Sequence, residues 1–198
     1  MTIVTRTDFP RKVKEVENFW IPMSDGVKLA ARMFIPTDAE KNPVPAVLEY
    51  LPYRKRDGTH VRDALTHPYL AGHGYAAIRV DMRGNGDSDG LMQDEYTKQE
   101  QDDALEVIAW IARQKWCTGK VGMFGISWGG FNALQVAARK PPAKAQRPRV
   151  LVALGWILFA AVLAVVVGAY ALSEQVMEEF PIHNNQLQSP ATIVVILP

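Results

Sequence analysis

The sequence is short of the residues that build disulfide frameworks and metal cages. It has one cysteine, Cys117, and four histidines in 198 residues. A single cysteine cannot close an internal disulfide, and a Cys/His metal site needs clustered ligands, which are missing. We therefore expect no structural metal, and we interpret Cys117 as a small packing residue.

An excess of charge of one sign is also missing. The 22 basic and 21 acidic residues leave a formal net charge of +1, and no long basic run occurs. Proteins that bind the nucleic-acid backbone carry basic patches that neutralise phosphates, so we expect no nucleic-acid partner. With 48% hydrophobic and 22% charged residues, the composition is typical of a globular protein.

Charge is absent altogether from the 23 residues 150–172, VLVALGWILFAAVLAVVVGAYAL. As a helix this segment would be about 34 Å long, against about 30 Å for the hydrocarbon core of a bilayer. A buried core helix is the alternative, but such a helix in a small domain usually shows a polar stripe, and this segment shows none. The pattern predicts a transmembrane helix.

Charge on the two sides of this segment predicts its orientation. All 22 basic residues and 18 of the 21 acidic residues lie in residues 1–149, whereas only three glutamates follow. The positive-inside rule then predicts a cytoplasmic domain over 1–143, a basic juxtamembrane linker over 144–149 and a short non-cytoplasmic tail over 173–198. The N-terminus has no apolar h-region, so neither a secretory signal nor a transit peptide is expected.

The first 149 residues alternate between strand-like and helix-like patterns. Two strand-like runs, 16–22 and 27–36, flank Asp25-Gly26, a dipeptide typical of a hairpin turn. Further strand-like runs cover 45–52, 75–81 and 120–124, and helix-like runs cover about 61–71, 97–114 and 128–138. Pro68 disfavours the first of these helices. The alternation predicts a mostly parallel sheet with crossover helices, preceded by an antiparallel N-terminal hairpin.

The strongest chemical signal is GISWG at residues 125–129. It lies where a buried strand should turn sharply into a helix, which is the context of a nucleophile elbow. There Ser127 would project its hydroxyl above the sheet, and the backbone N–H of Trp128 would face an oxyanion. The five-residue pattern by itself also occurs in purely structural Gly/Ser turns.

Several further motifs occur together with the elbow, in an order known from one family. They are VENFWIPMSDGVKLAARMFIP, LPYRKRD, GYAAIRVDMRGNGDSDG and WCTGKVGMFGISWGGF. Over residues 14–143 the chain resembles the N-terminal part of the X-prolyl dipeptidyl-peptidase and cocaine esterase family of α/β-hydrolases. The resemblance implies an incomplete α/β-hydrolase domain, acting without a cofactor on an ester or X-Pro peptide through an acyl-enzyme on Ser127. It also implies that the Tyr53 hydroxyl and the Trp128 backbone N–H form the oxyanion hole.

The loop at residues 81–90 resembles a phosphate-binding loop only in part. Its Gly-x-Gly is followed by Asp89 where a dinucleotide fingerprint requires a third glycine, and its carboxylates would repel phosphate. We therefore reject nucleotide binding. In the family named above, this DxRGxGxS loop is a structural element, so Asp81, Arg83 and Asp87 are expected to hold the loop by charge and hydrogen bonds.

Three histidines in the first domain are candidate metal ligands by residue type. They are His60, His67 and His73. Separations of seven and six residues suit no pair of ligands on a helix or a hairpin. We interpret these histidines as solvated or loop residues and expect no metal site.

The rest of a catalytic triad is hard to find. In α/β-hydrolases an acid and then a histidine follow the serine, and the strands that carry them in the family have no counterpart after about residue 143. The candidates that follow Ser127 are Glu174, Glu178, Glu179 and His183. A membrane span would separate them from Ser127, and a serine without a base is a poor nucleophile. We therefore expect weak or no turnover by this chain alone, and an unpaired sheet edge beside the elbow strand.

Three hypotheses about function stay open. The first is a serine hydrolase whose missing triad residues are supplied by another chain. The second is a catalytically inactive, membrane-anchored hydrolase-like module that binds or tethers a partner. The third is a chimeric or frameshifted reading frame, in which the residues after about 143 come from an unrelated membrane protein, and the apolar terminal run TIVVILP favours it.

Overall fold

The computed structural model describes residues 8–139 and the backbone of a strand at 192–196. The chain divides into two compact units, residues 1–144 with 190–198 and residues 145–189. Every described residue belongs to the first unit. No helix in this described part is long and apolar enough to cross a membrane. The predicted membrane helix and the linker before it lie outside the described residues.

Six strands and three helices make up the described chain. They are β1 (Val13–Pro22), β2 (Lys28–Pro36), β3 (Val44–Leu51), α1 (His60–Gly72), β4 (Ala76–Asp81), α2 (Lys98–Ala112), β5 (Cys117–Ile126), α3 (Trp128–Ala138) and β6 (Thr192–Ile196). Every strand and helix predicted in the first 149 residues is present, within a few residues of its expected bounds. Cys117 begins β5 and is buried in the hydrophobic core, as expected of a packing residue.

Helix α1 continues through Pro68, which disfavoured it in the sequence. Contacts with β4 and with the segment before β1 hold the helix on both sides of the proline. Before it, Asp63 accepts hydrogen bonds from Arg79 of β4 at 2.7 and 2.9 Å. After it, the Gly72 carbonyl accepts from the backbone N–H of Arg11 at 3.1 Å. Tertiary contacts therefore offset the loss of the helix hydrogen bond that proline, which has no N–H, cannot donate.

The sheet is mixed, which corrects the prediction of a mostly parallel sheet. Its strand order is β1-β2-β4-β3-β5-β6. Strand β3 is parallel to β4 and β5, whereas the pairs β1–β2, β2–β4 and β5–β6 are antiparallel. Crossover helices impose parallel pairing only on β4, β3 and β5. The N-terminal hairpin is joined to these strands by the antiparallel pairing of β2 with β4. The predicted hairpin itself is confirmed, and Gly26 takes φ +89° in its turn, a conformation that glycine adopts without steric cost.

Strand β6 lies on the edge that was expected to be unpaired. Its register with β5 runs from Gly122 opposite Ile196 to Ile126 opposite Thr192. An edge strand presents free backbone N–H and C=O groups, and a β-branched run such as TIVVI pairs well with them. This pairing and a tail on the far side of a membrane exclude each other, because β5 belongs to the domain that was predicted to be cytoplasmic.

The two faces of the sheet differ in chemistry. Helices α2 and α3 cover one face and enclose the hydrophobic core, where Leu48 and Tyr50 of β3 cluster with Val136 of α3. Successive side chains of a strand point to opposite faces, so Glu49 faces the other side, where it pairs with Arg79 at 2.6 Å. Apolar packing holds one face, and buried ion pairs under α1 hold the other.

Candidate active site

Strand β5 turns directly into helix α3 at Ser127. The strand ends at Ile126 and the helix begins at Trp128, so the expected strand, turn and helix are all present. Ser127 has φ 52° and ψ −119°, a conformation that costs a residue with a side chain on the order of 1–3 kcal/mol. The serine is exposed, and its side chain does not cap the helix. Its hydroxyl is therefore free to meet a substrate.

The glycines that flank Ser127 let strand and helix approach each other. A Cβ atom on Gly125 would overlap the backbone carbonyl carbon of Gly129, and a Cβ on Gly129 would lie 3.0 Å from Cδ2 of Leu51. A larger residue at position 125 would push α3 away from the sheet, whereas one at position 129 would crowd the side chain of Leu51. Gly125 is therefore required sterically, as the elbow motif indicates.

Trp128, the first residue of α3, carries the backbone N–H that is predicted to face an oxyanion. This N–H is one of the first four of α3, which have no carbonyl partner within the helix. The N-terminus of a helix also carries partial positive charge. Both properties suit the Trp128 N–H to an oxyanion. The indole side chain points elsewhere, and its Nε1 donates to Oε1 of Glu100 at 2.7 Å.

Tyr53 lies in the loop between β3 and α1, at the carboxyl edge of the parallel strands, where Ser127 also lies. The tyrosine is 39% exposed, so its phenol is available to a ligand. Desolvation is the main cause that raises the pKa of Tyr96, and Glu95 and then Tyr53 make smaller contributions. The Tyr96 ring lies 5.0 Å from the ring of Trp128. Tyr53, Ser127 and Trp128 are therefore brought to the same edge of the sheet.

A buried lysine holds the loop that carries Tyr53. Lys55 is 0% exposed, and its backbone N–H donates to Oδ1 of Asp81 at 2.7 Å. Its Nζ pairs with Asp87 and lies 3.7 Å from Asp81, and the hydrogen bond from Lys55 lowers the pKa of Asp87. Asp81 also accepts from the backbone N–H of Asp87 at 3.1 Å. The prediction that Asp81 and Asp87 hold their loop is confirmed, although the sequence analysis missed Lys55.

Arg83 joins the same loop to two other elements. Its Nε and Nη2 donate to Asp103 of α2 at 2.7 and 2.8 Å, and its Nη1 pairs with Asp25 of the hairpin turn at 2.9 Å. The hydrogen bond to Asp103 is the main cause that raises the pKa of Arg83. Arg83 is therefore occupied by carboxylates in a structural role, as expected.

A cleft of about 270 Å³ opens between this loop and α2. Tyr50, Arg83, Met92 and Glu100 are among the residues that line it. The cleft is below the range of about 300–1,000 Å³ that small-molecule sites usually occupy. It has room for a small group only.

The histidines of α1 depart from their prediction in one case. His60 and His73, at the two ends of the helix, are exposed, whereas His67 is 1% exposed. The interpretation as a solvated or loop residue is wrong for His67, because its separation of four residues from the buried Asp63 turns both side chains toward the sheet. Burial lowers the pKa of His67 to about 4, so its ring is neutral at pH 7.

Glu49, Asp63 and His67 together have the donor atoms of a cation site. One ligand atom from each lies within 4.8 Å of the others. However, Arg79 pairs with the two carboxylates at 2.6 and 2.7 Å, and Arg62 pairs with them at 2.6 and 3.0 Å. Two guanidinium groups neutralise two carboxylates and would repel a metal ion. The cluster fits a buried ion-pair network better than a metal site.

No described histidine is hydrogen-bonded to Ser127. His60 and His67 lie on α1, and His73 follows its last residue. Helix α1 packs mainly on β1, β2 and β4, whereas α3 packs on β3, β5 and β6, although the His67 ring also lies 5.8 Å from that of Phe124 on β5. Among residues 8–139 the structure gives the Ser127 hydroxyl no hydrogen-bond partner. The candidate triad residues of the sequence analysis, Glu174, Glu178, Glu179 and His183, lie outside the described residues.

Glu100, on the first turn of α2, is the residue near the elbow that the sequence analysis passed over. Its backbone N–H donates to Oγ1 of Thr97, the N-cap of the helix, at 3.3 Å. Thr-x-x-Glu at this spacing is the signature of a capping box. That signature could have placed Glu100 at a helix start, but its contact with Trp128 depends on the packing of two helices.

The comparisons with known proteins agree with this geometry. The sequence model of X-Pro dipeptidyl-peptidase (S15 family) matches residues 25–154. A cocaine esterase from Rhodococcus sp. (strain MB1 Bresler) is 38% identical over 126 residues, which cover 61% of this chain and 20% of that protein. The chain therefore spans about a fifth of the length of this relative.

Solved structures agree at the level of the fold. A CocE/NonD family hydrolase from Staphylococcus aureus matches with a TM-score of 0.58 and 26% identity, over 65% of this chain and 26% of that one. An α-amino acid ester hydrolase matches with a TM-score of 0.52 and 25% identity, over 74% of this chain and 26% of that one. The mixed sheet and its helices are thus an α/β-hydrolase-like fold, and the chain belongs to the X-Pro dipeptidyl-peptidase family of hydrolases.

Proposed function

We propose that this chain carries the nucleophile and the oxyanion donors of a serine hydrolase that cleaves an ester or an X-Pro peptide bond. The observation that carries the proposal is Ser127, an exposed hydroxyl at a strained turn between strand and helix. Strain of this kind persists only where the surrounding structure enforces it, and it is concentrated at active sites. The family supports the peptide class, and the name of the cocaine esterase supports the ester class.

The proposed chemistry proceeds through an acyl-enzyme. Oγ of Ser127 attacks the substrate carbonyl carbon, its proton passes to a base, and the carbonyl oxygen becomes an oxyanion between the Trp128 N–H and the Tyr53 hydroxyl. The leaving alcohol or amine takes the proton as its bond to the carbonyl carbon breaks. Water then attacks the ester of Ser127 and releases the acid.

In this proposal the base comes from outside residues 8–139. Without it, what remains of catalysis in such sites is about a thousandfold over water, from binding and the oxyanion hole. Either His183 or a histidine of another chain would supply full activity. The substrate in this proposal is a small molecule or peptide.

Reaction of the full-length chain with a fluorophosphonate probe tests the proposal, with Ser127→Ala beside it. The probe forms a bond to the serine oxygen and releases fluoride. Labelling that is present in the wild type and lost in the variant supports an activated Ser127. Equal labelling of both proteins, or no labelling of a folded wild type, contradicts activation of Ser127 in this chain.

A catalytically inactive hydrolase-like module is the second candidate. The lack of a hydrogen-bond partner for the Ser127 hydroxyl among the described residues favours it. This candidate predicts a chain that unfolds cooperatively in urea but reacts with no acylating probe. The same labelling experiment therefore separates the two candidates.

A further inference from the structure

Glu100 is a buried carboxylate beside the elbow. It lies on the first turn of α2 and is 5% exposed. A carboxylate in such a place must be hydrogen-bonded to persist, because burial without partners is costly. Burial raises the pKa of Glu100, and the hydrogen bond from Trp128 is the largest of the effects that oppose this rise.

Both oxygens of Glu100 accept hydrogen bonds from segments that meet at the elbow. Oε1 accepts from the indole Nε1 of Trp128 at 2.7 Å. Oε2 accepts from the backbone N–H of Tyr96 at 2.9 Å. One side chain therefore connects the start of α3, the start of α2 and the loop before α2.

Tyr96 gives this connection a second point of contact. Its backbone takes φ 57°, the left-handed region that tyrosine seldom adopts. Its ring lies 5.0 Å from the ring of Trp128 and 5.6 Å from that of Phe131. By holding the Tyr96 backbone, Glu100 also keeps an aromatic ring packed on the first turn of α3.

We propose that Glu100 is a positioning residue for the oxyanion donor of the elbow. It does not reach the reacting atoms and acts through Trp128, whose backbone N–H is the proposed donor. With the indole tied to α2, the peptide between Ser127 and Trp128 cannot rotate out of its strained conformation. A charged acceptor makes this tie stronger than a neutral one. The inference rests on the function proposed above.

Three variants of the full-length chain test the positioning role. Glu100→Leu removes both acceptors, whereas Glu100→Gln keeps one acceptor for two donors. Glu106→Gln is the matched control, because Glu106 lies on the same helix and its carboxylate bonds Ser24 at 2.8 and 2.9 Å. Labelling by the fluorophosphonate, expressed per folded molecule, is expected to be at least tenfold slower in Glu100→Leu, intermediate in Glu100→Gln and unchanged in Glu106→Gln.

A purely structural role for Glu100 gives a different result. Loss of a helix cap alone would lower the urea midpoint of Glu100→Leu and leave its labelling rate per folded molecule at the wild-type value. That result overturns the proposal, and so does a Glu100→Gln variant that is as slow as Glu100→Leu.

A second measurement keeps the inference testable if the wild type is not labelled. The indole and backbone N–H signals of Trp128 are followed by NMR and assigned with Trp128→Phe. We expect the indole proton to exchange slowly with water in the wild type and in Glu106→Gln. In Glu100→Leu we expect it to exchange rapidly and the backbone N–H signal to shift. Unchanged Trp128 signals in Glu100→Leu overturn the positioning role, whereas absent labelling with these changes contradicts only the proposed function.

Discussion

Ser127 occupies a backbone conformation that its side chain disfavours. With φ 52° and ψ −119°, it is held by the packing of α3 on β5 rather than by local preference. We expect Ser127→Gly to be more stable than Ser127→Ala by about 1 kcal/mol, because glycine relieves the strain but loses more entropy on folding. Urea denaturation of the two variants measures the difference. Equal stabilities would mean that the strain relieved by glycine is no larger than the entropy that glycine loses on folding.

His67 makes stability depend on pH. Its pKa is lowered from 6.5 to about 4 in the folded protein, so the unfolded chain binds more protons between these values. Stability from the neutral ring is fully present above pH 6.5 and is lost as the pH falls toward 4. The free energy of unfolding falls by about 3 kcal/mol, because each unit of pKa difference corresponds to about 1.4 kcal/mol.

Replacement of the imidazole isolates this effect. His67→Phe keeps a ring among the neighbouring aromatic rings and cannot titrate. We expect its urea midpoint to change less between pH 7 and 4.5 than that of the wild type, whereas His60→Phe, at an exposed position, should keep the wild-type dependence. An unchanged pH dependence in His67→Phe would assign the effect to other groups.

At the level of elements, two loops at the carboxyl edge depend on one buried charge. Lys55 and Arg56 both pair with Asp87, but their side chains are 0% and 62% exposed. Lys55→Met would leave Asp81 buried without its ammonium partner, which costs about 3–5 kcal/mol for a buried pair. Arg56→Met should cost less than about 1 kcal/mol, because exposed pairs contribute little.

Urea denaturation of these two variants is the measurement, with Lys55→Met/Asp81→Asn as a third protein. Removing the charge of Asp81 should recover part of the loss. Similar midpoints for Lys55→Met and Arg56→Met would show that the burial of Lys55 does not determine how strongly its ion pairs stabilise the protein.

The elements themselves follow the sequence pattern closely, but their pairing does so less well. Asp25-Gly26 predicted the hairpin, and short apolar runs predicted β3, β4 and β5, because these signals are local. Strand β2 pairs antiparallel with β4, and β6 pairs antiparallel with β5. No local sequence pattern encodes which strands become neighbours in the sheet. The persistence of α1 through Pro68 likewise depends on tertiary contacts with Arg11 and Arg79.

At the level of the whole molecule, we propose, as the alternative to the pairing of β6 with β5, that residues 150–172 span a membrane, with residues 1–143 on the cytoplasmic side. The length and the absence of charge support this proposal. After carbonate extraction of cell membranes, the full-length chain is expected in the pellet and a chain of residues 1–149 in the supernatant. A full-length chain in the supernatant would contradict the span and favour β6 pairing as the arrangement of the tail.

Local sequence patterns predicted the strands and helices up to residue 138 and the glycine-flanked turn at Ser127, because periodicity, turn residues and glycines act within a few residues of one another. They did not predict β6. The family followed from the resemblance of several motifs, and the family model bears it out. Only the folded structure shows that His67 is buried, that Lys55 joins two loops and that Glu100 holds Trp128. Each of these requires residues distant in the chain to meet, and the energy of a buried charge depends on the partners that the fold brings to it.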